Sequence, residues 1–269
     1  MNDTIREQII LQCKALHLAT SYADLAMTTK GETNQQYFLN VLTEKVRAKR
    51  AANIQSCLNN ANFPYFEYPG NIDTSEILFP DDMSFEDCLN LKFYEERKNL
   101  MMYGNPGTGK TMITICVGLE ACRRGIPVTF CRAQSLMTSL SEAHKAGTLT
   151  KLKDTLNKSE IILLDEFGYI ASDITGSQLF FDFISEAQGK KVIVLNTNKE
   201  FSKWGNILYD DDMATALAGR IIQHCSLIVF PGEDRRLKNS DLMKAYEIVS
   251  KRKEEEELKQ KQNAWAQQT

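Results

Sequence analysis

Hydrophobic and polar positions follow two rhythms along the chain, and the change of rhythm divides it. Up to residue 62 the apolar residues recur at helical spacing. Asp3 or Thr4 is placed to cap a first segment carrying Ile5, Ile9, Leu16 and Leu18. Lys30-Gly31 breaks the pattern before a long amphipathic run, Asn34 to Asn60, with Phe38, Val41, Leu42, Val46 and Ile54 on its apolar face. Asn62-Phe-Pro-Tyr-Phe-Glu-Tyr-Pro-Gly70 ends the helix and reads as a linker. Its aromatics Phe63, Phe66 and Tyr68 are expected to pack on the following domain. A further helix, about Ser84 to Arg97, leads into a strand.

From residue 99 short apolar runs alternate with helical patterns. Strands are predicted at Leu100–Tyr103, Pro127–Arg132, Glu160–Glu166, Lys191–Asn196 and Cys225–Phe230. Between them fall helices at Met112–Arg124, Ala133–Lys145, Leu149–Asn157, Gly176–Gln188 and Met213–Gln223. The stretch Thr197–Asp212, which carries Trp204, is expected to be a loop. This alternation predicts an α/β fold, a five-stranded parallel sheet between helices. The expected division is a smaller all-helical domain at 1–68, the sheet domain at 69–240 and a charged helical tail at 241–269.

One junction carries chemistry. The run Leu100–Tyr103 drops into Gly104-Asn105-Pro106-Gly107-Thr108-Gly109-Lys110-Thr111, which a helix follows from Met112. This is G-x-x-x-x-G-K-T between a strand and a helix, the context that gives the motif meaning. Glycines at 104, 107 and 109 allow a tight turn with inward N–H groups. The helix N-terminus adds partial positive charge there. Lys110 is then placed to reach β- and γ-phosphates, and the Thr111 hydroxyl to hold Mg²⁺.

Composition narrows the remaining classes. Net charge is −3 and the pI near 5.8, so no global field favours nucleic acid or membrane, and such a role needs local basic surfaces. The seven cysteines are scattered without a C-x-x-C pair, and the three histidines stand apart, against a zinc site or disulfide framework. They read as buried thiols of a cytoplasmic protein. The N-terminus lacks the charged-then-apolar pattern of a signal peptide, and no apolar run approaches bilayer length. Two basic groups stand out: Lys45, Arg47, Lys49 and Arg50 in the long helix, and Lys145, Lys151 and Lys153 before the third strand. Either is a solvated face or a nucleic-acid contact.

Asp165 and Glu166 end the apolar strand Ile161–Leu164 at its carboxyl end, where open α/β sheets bind ligands. There Asp165 can hold Mg²⁺ through water while Glu166 polarises an attacking water. Asn198 follows the fourth strand and could orient that water, although Asn is also a common turn residue. Arg220 is as well read as a surface helix arginine as a γ-phosphate contact from a neighbouring subunit. Arg235 and Arg236 are phosphate contacts or surface charge.

Together these residues resemble the AAA+ ATPases, and within them the DnaC-type clade of helicase loaders and IstB-type helpers of insertion-sequence transposition. The IstB-type resemblance is the closer and spans most of the chain. It is carried by Ala61-Asn62-Phe63-Pro64, by Asp165-Glu166-Phe167-Gly168-Tyr169, by Thr197-Asn198-Lys-Glu-Phe201-Ser-Lys-Trp204, and by Gly232-Glu233-Asp234-Arg235-Arg236-Leu237. The resemblance implies an ATP site over residues 104–112, including Met112, with Mg²⁺ at Thr111 and Asp165. It makes Asn198 the sensor residue, Arg220 the arginine finger and Arg236 a late phosphate contact. Gly219 stands where the family has Asp, and Asp234-Arg235 where it has Ser-Tyr. The tail beyond residue 240 exceeds the family core.

The implied function is an ATP-hydrolysing homo-oligomer, ring or filament, that binds duplex DNA and recruits a transposase. The segment of Lys145, Lys151 and Lys153 lies where DnaC-type proteins carry a helical DNA-contacting insertion. The alternative is a replicative helicase loader acting on single-stranded DNA. The Asp-Glu pair, the sensor Asn and the absence of a lid-like insertion argue against a small-molecule kinase.

Overall fold

The computed structural model describes residues 2–168 and 173–234. Tyr169, Arg235, Arg236, Leu237 and the charged tail lie outside the described residues.

The chain opens with α1 (Asn2–Ala15), α2 (Ser21–Thr28) and the long α3 (Asn34–Asn60). The first helix begins at Asn2, so Asp3 and Thr4 lie inside it and do not cap it. The helical reading up to residue 30 is divided, a break between Ala15 and Ser21 that the spacing did not show. Thr33 caps α3, its hydroxyl accepting from the Gln36 backbone N–H. Arg6 reaches Asp24 at 2.7 Å, and the Tyr37 hydroxyl donates to the Ala26 carbonyl, which ties the three helices together. Their shared core is small: Cys13, Ala23 and Val41 are buried.

Ile5, Leu16, Leu18, Phe38, Leu42 and Val46 are exposed, against the amphipathic reading of these helices. Only the far end of α3 meets a large partner. There Cys57 and Ala61 are buried in the core beneath the sheet, and the Ala61 carbonyl accepts from the Phe130 N–H at 2.7 Å. A 27-residue helix is longer than the surface that covers it, so periodicity persists where burial does not. Of the linker aromatics, Phe63 packs near Phe130, but Phe66 and Tyr68 are exposed.

The expected helix over 84–97 is two short ones, α4 (Phe85–Leu89) and α5 (Lys92–Glu95). Ser84 and Asp87 form a reciprocal capping box at the start of α4. Leu91 breaks the pair with φ +59° while its side chain stays buried. Strained backbone there turns Cys88, Leu91 and Phe93 into one core.

The sheet domain then follows the expected order: β1 (Asn99–Gly104), α6 (Lys110–Arg123), β2 (Val128–Arg132), α7 (Ala133–Lys145), α8 (Leu149–Asn157), β3 (Ile161–Phe167), α9 (Ile174–Ala187) and β4 (Val192–Thr197). The stretch expected as a loop holds a 3₁₀ turn, Phe201–Lys203, and α10 (Trp204–Leu208). Trp204 is fully buried 4.6 Å from Phe167 by ring centres, and its indole N–H donates to the Lys199 carbonyl. That packing pulls the segment after β4 into a helix. The described chain closes with α11 (Asp211–Ile222) and β5 (Cys225–Phe230).

All strand pairs within the sheet are parallel, in the order β2-β3-β4-β1-β5. Side chains alternate between two cores, as burial on both faces requires. Leu100, Met102, Leu163 and Val194 face α6, while Met101, Ile162, Leu164 and Leu195 face the opposite side with α7 and α9. The carboxyl ends of β1, β3 and β4 thus meet along one edge, beside the N-terminus of α6.

Candidate nucleotide site

The turn after β1 is held by contacts that demand glycine. At Gly104, φ is +150°, and a β-carbon would come within 2.1 Å of the Phe230 carbonyl oxygen on β5. At Gly107, φ is +69°, and a β-carbon would lie 1.7 Å from an Asp234 carboxylate oxygen. Thr108 donates to the Asn105 carbonyl at 2.8 Å, and Asn105 donates to the Gly232 carbonyl at 3.1 Å. Residues after β5 therefore brace the loop from one side. Lys110 folds back over it, its ammonium donating to the Gly104 carbonyl at 2.8 Å.

A cleft of about 450 Å³ opens above this loop. Pro106 to Met112 form its floor, with Arg132, Asp165, Glu166, Asn196 and Asn198 along the strand ends. Tyr65 of the linker lines the cleft too, and burial, then the charges of Glu67 and Asp165, push its phenol upward from the ordinary value.

Two consecutive carboxylates front the cleft because β3 is irregular. From Leu164 to Phe167 the strand takes three steps while its partner β4 takes two, Leu195 to Thr197. Phe167 consequently packs on the same side as Leu164, where regular alternation would put it opposite. The extra residue is a bulge, which re-aims side chains at a strand end. Glu166 adopts φ +56°, a left-handed conformation costly for a side-chain-bearing residue.

Asp165 is buried and satisfied on several sides. The Thr111 hydroxyl donates to its carboxylate at 3.0 Å, and the Asn196 amide donates at 2.8 Å. Glu166 instead reaches outward to Arg132, with Nε and Oε2 at 3.1 Å. Thr111 and Asp165 supply a hydroxyl and a carboxylate at the loop's helix end. This oxygen-donor set fits a hard divalent cation such as Mg²⁺. Asn198 stands beside Gly168, where a β-carbon would lie 2.5 Å from its amide oxygen. Glycine at 168 thus permits the close approach.

Arg220 does not line this cleft. Its guanidinium donates to the Ala216 carbonyl and sits 4.6 Å over the Phe181 ring. The next residue, Ile221, accepts from Asn99 at the start of β1, the far end of that strand from Gly104. The five steps from Asn99 to Gly104 correspond to about 17 Å. Arg220 is thereby kept from the phosphate loop of its own chain.

The basic groups divide. Lys145 pairs with Asp173 at 3.1 Å and Lys153 with Glu186 at 2.8 Å, while Lys151 lines a groove between α7 and α8. Lys45 bonds the Ser21 hydroxyl and lies over the Tyr22 ring, and Arg47 is 3.7 Å from Glu44. Arg47, Lys49 and Arg50 are exposed.

Arg132, Asn196 and Tyr65 escaped the sequence reading. Arg132 and Asn196 had a signal, being polar residues at the carboxyl ends of apolar strands. Tyr65 carried none, since its place depends on how the linker returns across the sheet. All seven cysteines are unpaired, and burial pushes the thiols of Cys88 and Cys122 up to about 12. No helix among the described residues is long and apolar enough to cross a membrane.

The family model described as IstB-like ATP binding protein matches residues 10–243. The "Insertion sequence IS5376 putative ATP-binding protein" of Geobacillus stearothermophilus is 28% identical over 243 residues, covering 88% of this chain and 97% of that protein. The "Insertion sequence IS21 putative ATP-binding protein" of Pseudomonas aeruginosa is 28% identical over 234 residues, covering 86% and 88%. Among solved structures, AMPPCP-bound DnaA from Aquifex aeolicus aligns with TM-score 0.50 and 20% identity over 67% of this chain and 57% of that chain, a likeness of fold.

Proposed function

The chain belongs to the IstB-like ATP binding protein family, and from that premise we propose that this ATPase is a helper of DNA transposition, assembling on duplex DNA and engaging a partner transposase. The observation that carries the hydrolytic part is the bulge at the end of β3, which puts Asp165 and Glu166 in one cleft with Lys110 and Thr111.

The roles follow from chemistry. Backbone N–H groups of Gly107, Thr108 and Gly109, with the start of α6, cradle the phosphates, and Lys110 turns from its loop carbonyls to the β- and γ-phosphates. Thr111 and Asp165 would hold Mg²⁺, which when bound neutralises charge on the phosphates. Glu166 accepts the proton of the attacking water, and Asn198 orients that water. Arg220, held away from its own loop, serves the site of an adjacent copy. Insertion-sequence relatives support the transposition reading, and oligomer assembly would supply the arginine.

Duplex binding is assigned to cations repeated around an assembly, since each chain is net negative. Lys49 and Arg50 are exposed on α3 and are the first candidates. Glu166→Gln keeps the shape of the side chain but cannot accept a proton, so it should bind ATP without turnover. Gel shifts of that variant with ATP should favour duplex over single-stranded DNA, with a salt slope of about −0.9 per phosphate neutralised. Lys49→Glu with Arg50→Glu should flatten the slope and leave DNA-free ATPase activity intact. Preference for single strands together with capture of a replicative helicase would replace this reading by a loader.

A further inference from the structure

Asn196 is a polar residue in a central strand whose other five positions, Val192 to Leu195 and Thr197, are also buried. It is 1% exposed. A buried amide is costly unless its donors and acceptor are met. Here both ends are committed. Its Nδ2 donates to Asp165 Oδ1 at 2.8 Å, and its Oδ1 accepts from the Thr114 hydroxyl at 2.9 Å. Thr114 is itself fully buried and stands one turn beyond Thr111 on α6. Thr111 in turn donates to Asp165. The four side chains close a circuit that starts and ends on α6 and passes through β3 and β4.

The direction of each bond matters. An amide can present either its NH₂ or its oxygen to a neighbour. The Asp165 carboxylate, an acceptor only, selects the orientation in which NH₂ faces it, and the Thr114 hydroxyl donates to the Oδ1 left on the other side. The opposite orientation would set an amide oxygen against the carboxylate. Asn196 therefore anchors one carboxylate oxygen from the sheet side. It fixes the rotation of a group that lies in the bulge, where pairing with β4 is interrupted while Arg132 of β2 stays opposite.

We propose that Asn196, held by Thr114, is the positioning residue for Asp165, and that this pair sets how strongly the nucleotide site responds to Mg²⁺. The inference rests on the assignment of Asp165 to the cation given above. Groups that orient a metal-binding side chain are typically worth about 10–100-fold in metal affinity.

The test measures binding of a fluorescent ATP analogue in Mg²⁺ and in EDTA, using the full-length chain. The wild type should bind more tightly with Mg²⁺. Asn196→Leu should lose about tenfold or more of that gain while its affinity in EDTA stays nearly unchanged. Thr114→Val, which removes only the hydroxyl that holds the amide oxygen in place, should lose part of the gain, and Thr114→Ser should keep it. Thermal melts identify a variant that fails to fold; should Asn196→Leu do so, the Thr114 pair decides. Full Mg²⁺ gain in the folded variants would overturn the inference. Asp165→Asn separates the two layers. If it keeps the gain, the cation assignment itself is wrong; if it loses the gain while Asn196→Leu and Thr114→Val retain it, only the role of Asn196 and Thr114 falls.

Discussion

Arg132 Nε lies 3.1 Å from Glu166 Oε2, so the carboxylate assigned to activate water is held by a cation at the end of the neighbouring strand. The two residues come from β2 and β3, and the register that sets Arg132 opposite Asp165 brings them together. A carboxylate oxygen engaged by a guanidinium is held toward it and is less free to approach a water in the cleft. Arg132→Ala should therefore raise the basal turnover of ATP several-fold with little change in KM. Steady-state kinetics without DNA check this. A fall in kcat would mean that Arg132 acts on the transition state and not on Glu166.

Asp234 presses a carboxylate against Gly107, in the loop assigned to the phosphates. Like charges about 4 Å apart oppose one another by about 1 kcal/mol even at the dielectric of water. Asp234→Ser should tighten ATP binding by about fivefold, the equivalent of that energy, most clearly at low salt. Calorimetric titration at two salt concentrations measures it. Unchanged affinity at both would show that the carboxylate leaves the loop when nucleotide enters.

Arg220 stands at the opposite end of β1 from the phosphate loop, which makes trans complementation the expected behaviour. Arg220→Ala and Lys110→Ala should each be nearly inactive, since an arginine finger is worth about 10³-fold or more in related enzymes. Mixed together they should recover activity. Each mixed interface can join an intact loop to an intact arginine. Assembled mixtures that stay inactive would count against the assignment.

Asp173 caps α9, accepting from the Ser141 hydroxyl, the Gly176 N–H and Lys145. Those bonds, led by Ser141, hold its carboxyl down to about 2. The folded state therefore favours the ionised form. Its contribution to stability is complete above the unfolded value of about 4 and fades as pH falls toward 2. Denaturant melts between these limits should show stability dropping with acidity. Asp173→Asn should flatten part of that slope and lower the midpoint at neutral pH.

Much of this was legible in the sequence because it depends on neighbours along the chain. Hydrophobic rhythm located the five strands and the helices after β1, β2 and β3 to within a few residues. The loop from Gly104 to Thr111 needed only its own glycines and the flanking strand and helix. Asp165 and Glu166 were visible as carboxylates closing an apolar strand. The first three helices misled for the converse reason. Phe38, Leu42 and Val46 have the right spacing, but spacing does not supply a surface to cover them.

The meetings between strands arise only in the folded chain. The bulge in β3 exists only relative to β4, and without it Asp165 and Glu166 would point to opposite faces of the sheet. Arg132 meets Glu166, and Asn196 meets Asp165, because β2 and β4 flank β3. Trp204 makes a helix of a polar stretch because Phe167, thirty-seven residues earlier, lies beneath it. Local elements and the glycine-rich loop could be read residue by residue, since backbone geometry and solvent act on each residue in place. Partners for the polar side chains came from strand order and register, which are fixed only when distant apolar faces are buried together.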